Sequence, residues 1–241
     1  MAKEADPNEL VDRFINAIED AKRAFEREYK RGFTGLGQAL NWAEEKGHPM
    51  PKNSFDELKA LNALRNVMQH SRVLKGLPIA VPRRDTVERM EQLARWIENI
   101  PKIRNHMVKN VSVLSPESSL ADAAKTILEY EVSQMPVYSG RDYLGLFTTN
   151  SMARWLSAHI DTDGSLLAEN VTVGQVLEFN EASDRASFFS PNTYAYAVCE
   201  KLSSSEGPAA ALITTDGTKK GELRGLVTRY DVARILKETT L

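Results

Sequence analysis

The chain has 241 residues, 42% of them hydrophobic and 27% charged, and its 31 basic and 33 acidic side chains leave a net charge of −2. That composition excludes disorder, the charge balance excludes a global basic field that would draw the protein to nucleic acid, and no apolar run approaches the roughly 20 residues of a membrane span. The opening MAKEADPNEL lacks the apolar core of a signal peptide and the single Cys199 cannot form an internal disulfide, which together predict a cytoplasmic setting.

Up to about residue 100 the pattern is helical. Asp6 and Pro7 mark a helix start, a capping side chain followed by a residue whose missing N–H costs nothing in the first turn. Leu10, Val11, Phe14, Ile15, Ile18, Ala21 and Phe25 then recur at helical spacing. GFTGLGQALNWAEEKGHPMPKN predicts a short helix around Trp42 between a glycine-rich and a proline-rich turn. SFDE (Ser54 to Glu57) has the form of a capping box and predicts a second strong helix with Leu58, Leu61 and Leu64 inward. DTVE (Asp85 to Glu88) predicts a third, with Val87, Met90, Ala94 and Ile97 on one face. Residues 1–104 read as an all-α domain.

After Lys109 the chain changes to short β runs between helices, and it does so twice. Ser115-Pro116 recurs 75 positions on as Ser190-Pro191, and GLFTTNS (145 to 151) recurs 80 positions on as GLVTRYD (225 to 231). Two landmarks repeated in the same order make an internal duplication. The Ser-Pro opening before a helix, the QMPVY strand (Gln134 to Tyr138) and the Gly-x-x-Thr-x-x-Asp close resemble CBS motifs, and two in tandem resemble a Bateman module. The resemblance covers about residues 105 to 241, with motif 1 at 105–162 and motif 2 at 163–241. The expected fold class is therefore α+β in two parts, an all-α N-terminal domain and a tandem CBS pair of α/β repeats.

The phrase GLVTRYD suits a nucleotide. Gly225 permits close backbone approach, Thr228 offers a hydroxyl, and Asp231 can accept from both ribose hydroxyls. The following helix points free N–H groups at the same place, and Arg229 and Arg224 stand near enough in sequence to help neutralise phosphate. Thr-x-x-Asp is equally the form of a helix cap, and the two roles are compatible. The resemblance implies a ribose-phosphate role for Thr228 and Asp231, with Ser190, Thr193 and the small strand from Ala209 through Ala210 to Leu212 bordering the base. It implies an adenine nucleotide as ligand (ATP, ADP, AMP or a cyclic di-adenosine nucleotide), no cofactor, and assembly as a homodimer through the CBS helices, for which Trp155 and Ile235 are the candidate surface residues. In the first copy Thr148 remains but Ser151 replaces the carboxylate. A charge-assisted hydrogen bond is worth about 1.5–3 kcal/mol against about 1 for a neutral one, so this degenerate site should bind roughly 10-fold more weakly or not at all.

LRNVMQHSR places Arg65, Asn66 and His70 on the second strong helix and, with GLPIAVP and another helix after it, resembles HEPN domains. Some of these are ribonucleases with an Arg-x(4–6)-His motif, in which His70 would be the general acid/base and Arg65 would stabilise phosphorane charge. Against this, residues five apart lie about 140° around a helix and need not converge, and both cations complement a helix C-terminus. Dimer packing or a partner role, RNA included, are the alternatives. DTDG (Asp161 to Gly164) lacks the later acidic ligands of a calcium loop, and His48, His106, His159 and Cys199 have no partners at ligand spacing, so no metal site is expected.

Overall fold

The computed structural model describes residues 6–47, 50–70, 80–165 and 169–239, with the side chains of 69 and 70 outside that description. It divides into two compact units, Met1–Pro101 with Thr239–Leu241, and Lys102–Glu238.

The first unit is helical. It comprises α1 (Pro7–Tyr29), α2 (Leu36–Lys46), α3 (Lys52–His70) and α4 (Arg84–Glu98). Asp6 caps α1 as expected, its carboxylate accepting from the Asn8 N–H at 2.9 Å. Phe14, Ile18 and Phe25 of α1 are buried, as are Phe55 and Leu58 of α3 and Met90, Leu93 and Ile97 of α4. The start of α3 differs from expectation. The helix begins two residues before Ser54, and the Phe55 N–H reaches the Pro51 carbonyl at 3.0 Å, so the first turn is closed by backbone and not by a Ser54 box. Ion pairs then tie the helices to one another: Arg13 to Glu91 at 2.9 Å, Arg89 to Glu57 at 2.8 Å and Lys59 to Glu44 at 2.7 Å.

In the second unit each copy contributes a small sheet and its helices. The first has α5 (Leu120–Tyr130), the hairpin β1 (Gln134–Ser139) and β2 (Asp142–Thr148), and α6 (Thr149–His159). After the short α7 (Val173–Leu177) the second has β3 (Ala186–Phe189), α8 (Ala195–Ser203), β4 (Ala210–Thr214), β5 (Leu223–Thr228) and α9 (Arg229–Thr239). In the second copy β3 lies parallel to β4, which lies antiparallel to β5. The equivalent first strand of copy one shrinks to a single bridge between Leu114 and Val137. Pro136 explains the loss. It pairs with Leu146 on β2 where Leu212 pairs with Leu226, and proline has no N–H to donate into the ladder.

The cores show an exchange. Ile103, in the lead-in to the first copy, is buried among Val198, Cys199, Ile213, Val227 and Ile235 of the second. Val173 and Val176, in the lead-in to the second copy, are buried among Met135, Val137, Phe147 and Trp155 of the first. The packing therefore crosses the expected 162/163 boundary. Trp155 and Ile235, expected on a dimer surface, are 3% and 0% exposed. Each is core of its own copy, because the apolar faces of α6 and α9 are already covered by their sheets.

Candidate functional site

The end of β5 and the start of α9 open into a cleft of about 540 Å³, within the size range of ligand pockets. Thr228, Tyr230 and Asp231 form one wall and Leu226 the floor. The opposite wall comes from the first copy, from Val108, Asn110, Val111 and Ser112 and from the turn between α5 and β1, Tyr130 to Gln134. Two aromatics stand at its rim, Tyr130 at 60% and Tyr230 at 85% exposed. Gly225 serves this construction. A Cβ there would meet Met107 Sδ at 2.5 Å and the Val108 carbonyl at 2.8 Å. The close approach that the sequence predicted is thus made by the chain's own 107–108 segment, which bonds to Leu226 in both directions at 2.9 Å.

Thr228 and Asp231 act as a cap in this structure. Asp231 Oδ2 accepts from the Thr228 N–H at 2.9 Å and from its hydroxyl at 3.0 Å, and Oδ1 accepts from Arg234 at 3.0 Å. A carboxylate has about four acceptor positions, so one remains, and the side chain is 19% exposed. The position left can accept one further hydrogen bond without breaking the cap.

The first copy has the same frame with a different carboxylate. Thr148 caps α6 in a reciprocal box with Ser151, which is fully buried. The Thr148 hydroxyl also donates to Asp184 Oδ1 at 2.7 Å, and Asp184 Oδ2 accepts from the Glu181 N–H at 2.9 Å and from Arg154. Arg154 stands 80 residues before Arg234, as Thr148 does before Thr228, and each arginine binds the carboxylate that its threonine touches. At the 75-residue spacing Asp184 falls opposite Lys109. The carboxylate missing at position 151 is supplied from downstream, and its side chain is only 2% exposed. The polar groups of this motif bond to one another.

Other expected residues lie elsewhere. Arg229 donates to the carbonyls of Gly207 and Pro208, and Arg224 pairs with Glu222 at 2.9 Å, so neither lines the cleft. Ala210 and Leu212 are fully buried in the middle strand of their sheet. Ser190 and Thr193 follow the C-terminal end of β3, whereas Thr228 is level with its first residue, Ala186. At about 3.3 Å per residue that puts Ser190 roughly 13 Å from the threonine along the sheet. The sequence reading placed the base beside the motif's own copy, and the cleft takes its second wall from the other one. Arg154 and Arg234 could have been found, since the Ala-Arg pair recurs at the 80-residue spacing. Asp184 sits in EASDR, which reads as an ordinary polar turn.

On α3, Arg65 reaches Glu19 of α1 at 3.6 Å and donates to Asn66 Oδ1 at 3.3 Å. This guanidinium ties two helices together, and Asn66 orients Arg65. The His70 side chain lies outside the described residues. Burial pushes the Cys199 thiol up to about 11. Among the described residues no group of three or more His, Cys, Asp or Glu side chains could hold a metal ion, and no helix is long and apolar enough to cross a membrane.

The CBS domain family matches residues 102–158. No curated protein matches the chain. Among solved structures, the chain is 20% identical to the CBS domain of a bacterial CNNM/CorC family Mg2+ transporter in complex with ATP, covering 58% of this chain and 89% of that one with a TM-score of 0.42. It is 14% identical to the CBS domain pair of protein MJ0100 in complex with 5-methylthioadenosine and S-adenosyl-L-methionine, over 58% and 98% of the two chains, TM-score 0.44. It is 17% identical to CBSX2 in complex with AMP, over 57% and 97%, TM-score 0.42. The chain is a helical N-terminal region followed by α/β elements, of which residues 102–158 match the CBS domain family.

Proposed function

We propose that residues 102–238 are a non-catalytic regulatory module that binds one adenosine-containing nucleotide in the Thr228–Asp231 cleft and relays its occupancy to the helical unit. The carrying observation is the contrast between two motifs with one frame. In one, an ion-paired carboxylate with a free acceptor position faces a 540 Å³ cleft; in the other, Asp184 closes the equivalent groups. AMP, ADP, ATP and cyclic di-adenosine nucleotides all carry the adenosine this wall suits. The setting we propose is the cytoplasm.

The helical unit is, in this reading, the output domain, HEPN-like and not a ribonuclease, because Arg65 is engaged with Glu19. RNA cleavage by the wild type that is lost in His70→Ala would overturn that choice. We further place the protein as a homodimer through the CBS helices. Leu156 and Ile160 support this, as one turn of α6 and its C-cap leave them 37% and 49% exposed. Light scattering should give twice the 27.0 kDa chain mass.

The test of the binding role is calorimetry with adenine nucleotides on the full chain. One ligand per chain is expected, and Asp231→Ala should weaken binding about 10-fold, the worth of one charge-assisted hydrogen bond. Two sites of equal affinity, or normal binding by Asp231→Ala, would show that the motif is only a cap.

A further inference from the structure

From the charges on the cleft we infer which adenosine compounds it takes: adenosine whose 5′ substituent is neutral or cationic, in preference to ADP and ATP. This rests on the binding role proposed above. Two carboxylates line the cleft, Glu131 and Asp231, and among the described lining residues there is no Lys, Arg or His. Two nearby arginines are turned to other work. Arg234 is held by Asp231 and by Glu238 at 3.4 Å, and donates to the His106 carbonyl at 3.3 Å. Arg229 is bound to backbone carbonyls. Lys109 is exposed between Val108 and Asn110, which line the cleft, and does not line it itself. The N-terminus of α9 would favour an anion, and the Asp231 carboxylate that accepts from the Thr228 N–H at 2.9 Å already sets a negative charge there.

The walls do suit the nucleoside body. Val108, Val111, Val132 and Leu226 offer apolar area. Gln134 has a buried Oε1 that accepts no hydrogen bond, an acceptor that can take the exocyclic amine of adenine. A phosphate chain would find no cation among the described lining residues to replace its water and would face Glu131.

The experiment is calorimetry on the full chain at low salt with adenosine, 5′-methylthioadenosine, S-adenosylmethionine, AMP and ATP. The sulfonium compound should bind tightest, and ATP about 10-fold or more weaker than adenosine, the scale of one like-charge contact near a protein surface. Raising salt should narrow the gap. Glu131→Gln should narrow it too. ATP binding as tightly as adenosine would overturn the inference and leave the proposed function standing. An unchanged ratio in Glu131→Gln would overturn the charge argument, and no binding by any of the five would overturn both.

Discussion

Replacing Asp184 by alanine removes the carboxylate that holds three donors at once. The Thr148 hydroxyl, the Glu181 N–H and the Arg154 guanidinium all lose their partner. Truncating one member of a buried pair typically costs about 3–5 kcal/mol, because the other charge is left uncompensated. Arg154 is 29% exposed, keeps the Phe179 carbonyl at 2.9 Å and has Glu181 at 3.5 Å, so water and these neighbours recover part of the loss. We expect about 2–3 kcal/mol, which for a protein of this size lowers Tm by roughly 5–10 °C. The internal control is Asp231→Ala. That carboxylate is 19% exposed and its partner Arg234 48% exposed, so its loss should cost no more than about 1 kcal/mol. Urea unfolding followed by circular dichroism measures both. The double variant Arg154→Met with Asp184→Leu should recover only the part of the loss due to the unpaired arginine, since the Thr148 hydroxyl and the Glu181 N–H still lack their acceptor. If Asp184→Ala stays within about 0.5 kcal/mol of wild type, or falls no further than Asp231→Ala, the buried carboxylate is not what holds the first motif closed.

Gly225→Ala should destabilise by about 1–3 kcal/mol, since its Cβ collides with the Val108 carbonyl, and it should weaken ligand binding by moving that wall; calorimetry and melting give the two readouts. Cys199 is fully buried with its thiol pushed up to about 11, so a thiol reagent at pH 8 should label it only on unfolding; rapid native labelling would contradict the burial. In the helical unit, Arg13 holds the Glu91 carboxyl below its ordinary range. A depressed folded pKa contributes stability above the unfolded value of about 4.3 and loses it as pH falls through the folded one. Glu91→Gln should therefore cost about 0.5–1 kcal/mol at pH 7 and nothing at pH 2, as read from melting at the two pH values.

Much of this architecture was legible in the sequence because it rests on local signals. The Asp6-Pro7 start, the helical spacing through α1 and α4, and the repeated Ser-Pro and Gly-x-x-Thr landmarks each report on a few neighbouring residues, and the elements lie where those signals put them. Two things were not legible. Ser54 has the form of a cap, but the backbone closed the turn two residues earlier, since a box motif marks a possible start and not the one that packing selects. The cleft was half read. Thr228 and Asp231 could be found by their spacing, whereas the opposing wall and Asp184 arrive through contacts between the copies, for which neighbouring letters carry no signal. Pro136 carried one that went unused, a missing N–H in the strand that loses its ladder.

The exchange of lead-in segments also bears on how the chain is made. A ribosome releases the first copy in order, but the valines that close its core, Val173 and Val176, follow the end of α6 by more than a dozen residues. Until they emerge, Met135, Phe147 and Trp155 lack part of their cover. Ile103 waits longer still, for α8, β4, β5 and α9. Domains usually fold one after another during synthesis, and here the first copy cannot close until the lead-in to the second has emerged. The second copy then closes on Ile103, a residue made before either copy, whose apolar side chain stays uncovered until α9 is made.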